Sequence, residues 1–290
     1  MRESSNPVMR GVVRDNQTGF AGFGAGAAGA AQGAMFNQPG QQYDPYAQQQ
    51  YPPQGGQPAS RQLTVDDVVT KTAITLGVLT VSAIVSYFLV DSNDSLANPL
   101  MAIGAIGGLV LVLVASFGRK QDNPAIVLAY AAFEGLFVGS ISFVFGNWVV
   151  SGDTSAGALI GQAVLGTFGV FFGMLVVYKV GAIRVTPRFT RMLFAAMIGV
   201  VVLMLGNLVA SFFTDGGFGL RDGGPLAIIF SLVCIGIAAF SFLLDFDSAD
   251  RLIRAGAPAK AAWGVALGLT VALVWLYVEI LRLLSYFHSD

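Results

Sequence analysis

Residues 225–246 read PLAIIFSLVCIGIAAFSFLLDF, an apolar run with no charged side chain before Asp245. A helix needs about 20 such residues to cross the hydrocarbon of a bilayer. The run is continuous rather than alternating, so it is not a half-buried strand. A helix remains, because within lipid the backbone must satisfy its own hydrogen bonds. Pro225 opens the run, where proline's missing N–H leaves nothing unsatisfied. Runs of the same kind lie on either side. The expected spans are about 68–90, 97–117, 124–146, 156–180, 190–213, 225–246 and 262–286. Asn98-Pro99, Asn123-Pro124 and Ala257-Pro258 mark span starts in the same way as Gly223-Gly224-Pro225.

Composition agrees with this reading. The chain has 290 residues, of which 54% are hydrophobic and 11% charged. A water-soluble surface needs about 25% charged residues, so most of this surface must face lipid. A net charge of -1 offers no bulk attraction to nucleic acid, and no nucleic-acid partner is expected. Cys234 is the single cysteine and His288 the single histidine. One thiol builds neither an internal disulfide nor a metal site alone. Gly139, Ser140 and Ser142 invite comparison with membrane serine proteases, but His288 is too close to the C-terminus to act as their base. With no phosphate loop and no haem ligand pair either, neither an enzyme nor a cofactor is expected. Gly157/Gly161, Gly169/Gly173 and Gly264/Gly268 have the spacing that lets helices approach closely.

Residues 1–62 differ from the rest. Positions 19–60 are rich in Gly, Ala, Gln, Pro and Tyr, as in QQYDPYAQQQYPPQGGQP. Such a segment buries too little apolar surface to offset its ordering entropy. The expectation is a disordered cytoplasmic tail over 1–62, acting as a solvated tether or a partner-binding arm, and a seven-helix transmembrane domain over 63–290. Thr64 followed by Asp66 and Asp67 has the chemistry of a helix N-terminus.

Basic residues orient the chain. Arg2, Arg10, Arg14, Arg61 and Lys71 precede or open the first span, and Arg119 and Lys120 follow the second. Lys179, Arg184, Arg188 and Arg191 follow the fourth, and Arg251, Arg254 and Lys260 follow the sixth. Of the 16 basic residues only Arg221 and Arg282 lie elsewhere. The positive-inside rule then places the N-terminus in the cytoplasm and the C-terminus outside, in the cell membrane. Asp91, Asp94, Asp153, Asp215, Asp222 and Asp290 fall on the outer side. They either concentrate cations at an entrance or merely solvate short loops.

Ionisable residues inside spans are functional candidates because burying them is costly. Glu134 stands about 15 Å into the third span, near the midplane. It has no Lys or Arg within four residues, so it needs a partner from another helix, a proton or a water path. Asp245 and Asp247 end the sixth span. Two apart on a helix, they point about 200° from each other, so at most one faces the interior. Glu279 lies in the outer half of the seventh span, where Arg282 at i+3 can pair with it beside the belt of Trp275 and Tyr277.

Several of these features together resemble the Bax-inhibitor (YccA-like, TMBIM) family. They are the seven-span layout, Glu134-Gly135, the Asp-Phe-Asp-Ser end of span six at 245–248, and the closing LRLL at 281–284. The segments SNPV at 5–8, TVDDVVTK at 64–71, YKVGAIRVTPRF at 178–189 and LVWLYVEILRLL at 273–284 look like its actinobacterial branch. The resemblance implies two three-helix layers around a central seventh helix. It also implies a pH-sensitive calcium leak channel, in which a carboxylate ending span six and one on span seven share protons and close the pore. By motif the first falls on Asp247. The second falls on Glu279 if LYVEI is matched, or on Ala272 if LRLL is matched. Glu279 stands roughly 25 Å beyond the start of span seven, too far for a direct hydrogen bond to Asp247. The paired switch is therefore expected to be altered or absent here; a substitute pairing of Asp247 would be with Asp245 or with a basic loop residue. Two functions follow. One is a passive pathway for Ca²⁺ or H⁺ near Asp247 and past Glu134. The other is a non-conducting regulator that binds a membrane protease or a stress-response partner.

Overall fold

A computed structural model describes residues 61–149, 155–214 and 217–288. The expected tail through residue 60, with its SNPV segment and Arg2, Arg10 and Arg14, lies outside these residues, as do Asp153, Asp215 and Asp290. Among the described residues seven helices are long and apolar enough to cross a membrane. They are α1 (Val65–Ser92), α2 (Ala97–Phe117), α3 (Pro124–Phe143), α4 (Ala156–Lys179), α5 (Pro187–Ala210), α6 (Pro225–Arg254) and α7 (Ala262–Phe287). A π-helical turn, Val144–Val149, extends α3.

Local chemistry sets most of the helix starts. The Thr64 hydroxyl accepts from the Asp67 N–H at 3.3 Å, and the Asp67 carboxylate accepts from the Thr64 N–H at 3.1 Å, a capping box. Asn123, Ser155 and Thr186 cap α3, α4 and α5 with their side chains. Pro124, Pro187 and Pro225 occupy first-turn positions.

The last helix in the sequence is the centre of the bundle. Of its span 72% is buried, against 11% for α4 and for α5. α1, α2 and α3 form one layer and α4, α5 and α6 the other, with α7 packed against α1, α3, α4 and α6. Glycines and serines bring the first layer together. Gly139 of α3 lies so close to α1 that a Cβ there would meet the Ala83 carbonyl and, at 2.8 Å, Ser86 Cβ. Ser82 and Ser86 of α1 donate to the Ala132 and Leu136 carbonyls at 2.6 and 2.8 Å. The small-residue pairs singled out on α4 serve no such contact among the described residues, since a Cβ on Gly157, Gly161, Gly169 or Gly173 would meet nothing.

α6 runs to Arg254 rather than stopping near 246. Asp247–Arg251 and Asp250–Arg254 pair at i,i+4 with separations of 2.7 and 2.8 Å, and so carry the helix beyond its apolar run. It then closes in a Schellman turn. The Ala257 N–H donates to the Leu252 carbonyl and the Gly256 N–H to the Ile253 carbonyl, each at 3.0 Å. Gly256 has a φ of 65°, in the left-handed region. Gly256→Ala is expected to cost about 1–2 kcal/mol, read as a lower melting temperature of the detergent-solubilised protein.

The basic loops share one end of the bundle. There Gly264, near the start of α7, faces Gln121 and Asp122 of the α2–α3 loop, and Lys260 lies 3.8 Å from Asp122. At the same end Arg61 and Gln62, the last residues of the expected tail, are tied to the α6–α7 loop. The Leu63 N–H donates to the Ala257 carbonyl and the Ala259 N–H to the Arg61 carbonyl, both at 2.8 Å.

Candidate functional site

The four candidate acids occupy three different environments. Asp245 points from α6 to α7 and sits opposite a glycine. A Cβ added to Gly268 would lie 3.0 Å from Asp245 Oδ1. Phe242 and Phe246, both buried, flank it on α6. Among the described residues Asp245 makes no hydrogen bond and no ion pair. Asp247 points away from the core and pairs with Arg251, as the 200° offset requires.

Glu134 approaches from the other layer. Its Oε2 lies against the bare Cα of Gly108 on α2, so closely that any larger residue would collide with it. Glu134 also lacks a hydrogen bond or ion pair among the described residues. Tyr130, one turn earlier on α3, is 3% exposed and belongs to the cluster that contains Leu267 of α7. Of the two partnerless acids, Asp245 meets the central helix at Gly268, while Glu134 meets Gly108 of α2, one turn along α3 from the Tyr130 that packs with Leu267.

Glu279 is different again. It is 1% exposed and lies toward the far end of α7. Arg282 Nη1 is 2.8 Å and Arg221 Nη2 3.5 Å from its Oε1. The Arg221 guanidinium also lies 3.3 Å from Met204 Sδ, and that of Arg282 stands 5.8 Å over the ring of Phe145. Two arginines therefore enclose one carboxylate and fasten the α5–α6 loop to α7. Asp247 and Glu279 lie at opposite ends of the bundle and do not meet. Ala272, reached by the other alignment, is buried in the apolar core between α6 and α7. Asp247 pairs with Arg251 on its own helix and not with Asp245.

A cavity of about 550 Å³ opens between α1, α3, α4 and α7. Its walls are apolar, including Leu79, Tyr87, Val164 and Phe168, and no candidate acid lines it. A hydroxyl pair stands there, Tyr277 to Ser142 at 2.7 Å, and Ser142 in turn donates to the Val138 carbonyl at 2.6 Å. Among the described residues, no charged side chain lines this cavity.

Gly108, Tyr130, Gly268 and Arg221 were not among the candidates from sequence. Arg221 had a signal, as the only basic residue in the loops of its side. Gly268 had been noticed, but for helix packing.

The seven-helix arrangement and its central helix now stand beside a direct match. The family model described as Bax inhibitor 1 like matches residues 29–289. The chain belongs to the Bax inhibitor 1 like family. It is similar to an uncharacterized membrane protein of Streptococcus pyogenes serotype M3, 29% identical over 215 residues, 70% of this chain and 84% of the relative. A counterpart in S. pyogenes serotype M1 is 28% identical over the same length. An uncharacterized protein of Chlamydia muridarum is 30% identical over 142 residues, 47% of this chain and 52% of the relative.

Proposed function

We propose that this Bax inhibitor 1 like protein is a pH-responsive cation leak pathway, for Ca²⁺ or H⁺, in the cell membrane. Its N-terminus is cytoplasmic and its C-terminus outside, by the placement of its basic residues. One observation carries the reading: Asp245 meets the central helix at Gly268 and Glu134, in the other layer, meets α2 at Gly108, and among the described residues neither has a hydrogen-bond or ion-pair partner. An intramembrane carboxylate without a partner is costly, and such costs are retained where protons or ions pass. A leak needs sites that hold an ion weakly enough to release it, which isolated carboxylates provide better than a cage. In this scheme Asp245 and Glu134 are the titrating groups of the pathway. Asp247, with Arg251, stands at its cytoplasmic mouth. Glu279 fixes the outer end of α7.

The test is flux of Ca²⁺ and of protons into proteoliposomes between about pH 5 and 8, the interval that brackets ordinary cellular values. The wild-type flux is expected to vary with pH. Asp245→Asn is expected to remove that variation and to change the rate about tenfold, equivalent to about 1.4 kcal/mol. Asp247→Asn, whose partner is a surface arginine, is expected to have a smaller effect. Absence of flux at every pH, or flux indifferent to both Asp245→Asn and Glu134→Gln, would overturn the reading.

A further inference from the structure

We propose that Arg61–Thr64 is a strap that holds the basic ends of α6 and α7 together and closes the approach to Asp245 from that end. Its functional meaning rests on the leak reading, but its geometry does not. Gln62 and Pro258 form an isolated antiparallel bridge, flanked by the two backbone hydrogen bonds to Ala257 and from Ala259. Leu63, 3% exposed, then dips into the core. There it joins Phe242 and Phe246 of α6 and Ala262 and Val265 of α7 in one apolar cluster. Phe246 is the immediate neighbour of Asp245, and Val265 lies one turn before Gly268, the residue opposite that acid. A solute moving from the basic end toward Asp245 between α6 and α7 meets this apolar plug, and hydrophobic constrictions gate by excluding water.

The strap is also built to open. Leu63 is the residue before the N-cap and Val68 the fourth helical residue, and both lie in the same cluster, a hydrophobic staple that fixes where the chain enters α1. Arg61 pairs with Asp67, the residue that completes the capping box, while most of its side chain is in solvent at 71% exposure. Two backbone hydrogen bonds and one leucine hold the strap to α6 and α7. So few contacts can open locally without unfolding the bundle. The sixty residues that precede it join the membrane domain at this point, so a pull on them is a pull on the plug.

The bridge geometry supplies the test. Gln62 and Pro258 face each other as a non-hydrogen-bonded antiparallel pair, for which Cα atoms stand about 4.5 Å apart, within disulfide range. The full-length chain carrying Cys234→Ala, Gln62→Cys and Pro258→Cys is oxidised to lock the strap. Leu63→Ser, in the same Cys234→Ala background, loosens it. Two readouts are taken in liposomes. One is the rate at which a charged thiol reagent applied at the basic end modifies Asp245→Cys introduced into each background. The other is Ca²⁺ and proton flux with Asp245 intact. Locking is expected to slow modification at least about tenfold relative to Leu63→Ser and to depress flux, with reduction of the disulfide restoring it. Equal modification rates in the locked and loosened chains would overturn the strap. Flux that is present but indifferent to locking would overturn it as a gate while leaving the leak reading intact. Modification that follows the strap in a chain showing no flux would uphold the strap and sink the leak. If Leu63→Ser fails to fold, the comparison of oxidised and reduced chains decides, because the disulfide adds a contact and removes none.

Discussion

Gly139→Val is expected to abolish the folded protein. The position where a Cβ would begin is already occupied by the Ala83 carbonyl, with Ser86 Cβ 2.8 Å away. Both belong to α1, and neither is the free end of a flexible side chain. The two helices would have to separate along the seam where Ser82 and Ser86 bond to α3 carbonyls. Overpacking alone costs about 1–3 kcal/mol, and losing these hydrogen bonds within lipid adds to it. The expected result is loss of the monodisperse peak on size exclusion in detergent and loss of a cooperative melt. Gly157→Val, on the open face of α4, is the control and is expected to melt close to wild type. Equal behaviour of the two variants would mean that α1 and α3 are not in contact as described.

Glu279→Leu is the second large effect. It leaves Arg221 and Arg282 facing each other in a site where the carboxylate was 1% exposed. Removing one partner of a buried ion pair costs about 3–5 kcal/mol, because the remaining charge stays desolvated. Here the remaining charges are two and of like sign. The melting temperature should fall well below that of Arg221→Ala, which leaves the 2.8 Å Glu279–Arg282 pair in place. Combining Glu279→Leu with Arg282→Met is expected to recover part of the loss. No recovery would mean that the carboxylate matters through something other than these two cations.

Much of the fold was legible because lipid imposes a single requirement. Seven runs near 20 residues, most of them opened by a cap or a proline, placed the helices within a few residues except at the end of α6. The tightest contacts were harder to read. A small-xxx-small spacing says that a helix can be approached, not by what. So Gly157 and Gly169 stand out although they face open space, while Gly104 and Gly108, which touch a neighbouring helix or its side chains, do not, and Gly139 draws notice only beside Ser140 and Ser142 and not for packing. Of the candidate acids, the i+3 pairing of Glu279 with Arg282 was readable from spacing. That Asp245 and not Asp247 faces the interior was not, because a 200° offset says the two differ without saying which one meets α7. The reach of α6 to Arg254 was readable in principle from Asp247/Arg251 and Asp250/Arg254, but the end of the apolar run masked it.

The helix at the centre of this bundle is synthesised after the other six spans described. At about 5–20 residues per second, a few seconds pass between completion of α6 and completion of α7. During that interval the two layers stand in the membrane without the helix that α1, α3, α4 and α6 all pack against. Asp245 then lacks the Gly268 face that covers it. A ribosome that stops after Arg254 therefore releases a product with this carboxylate open to the bilayer. Membrane quality control can recognise that exposed charge, so nascent chains that lack α7 should be removed faster than complete ones.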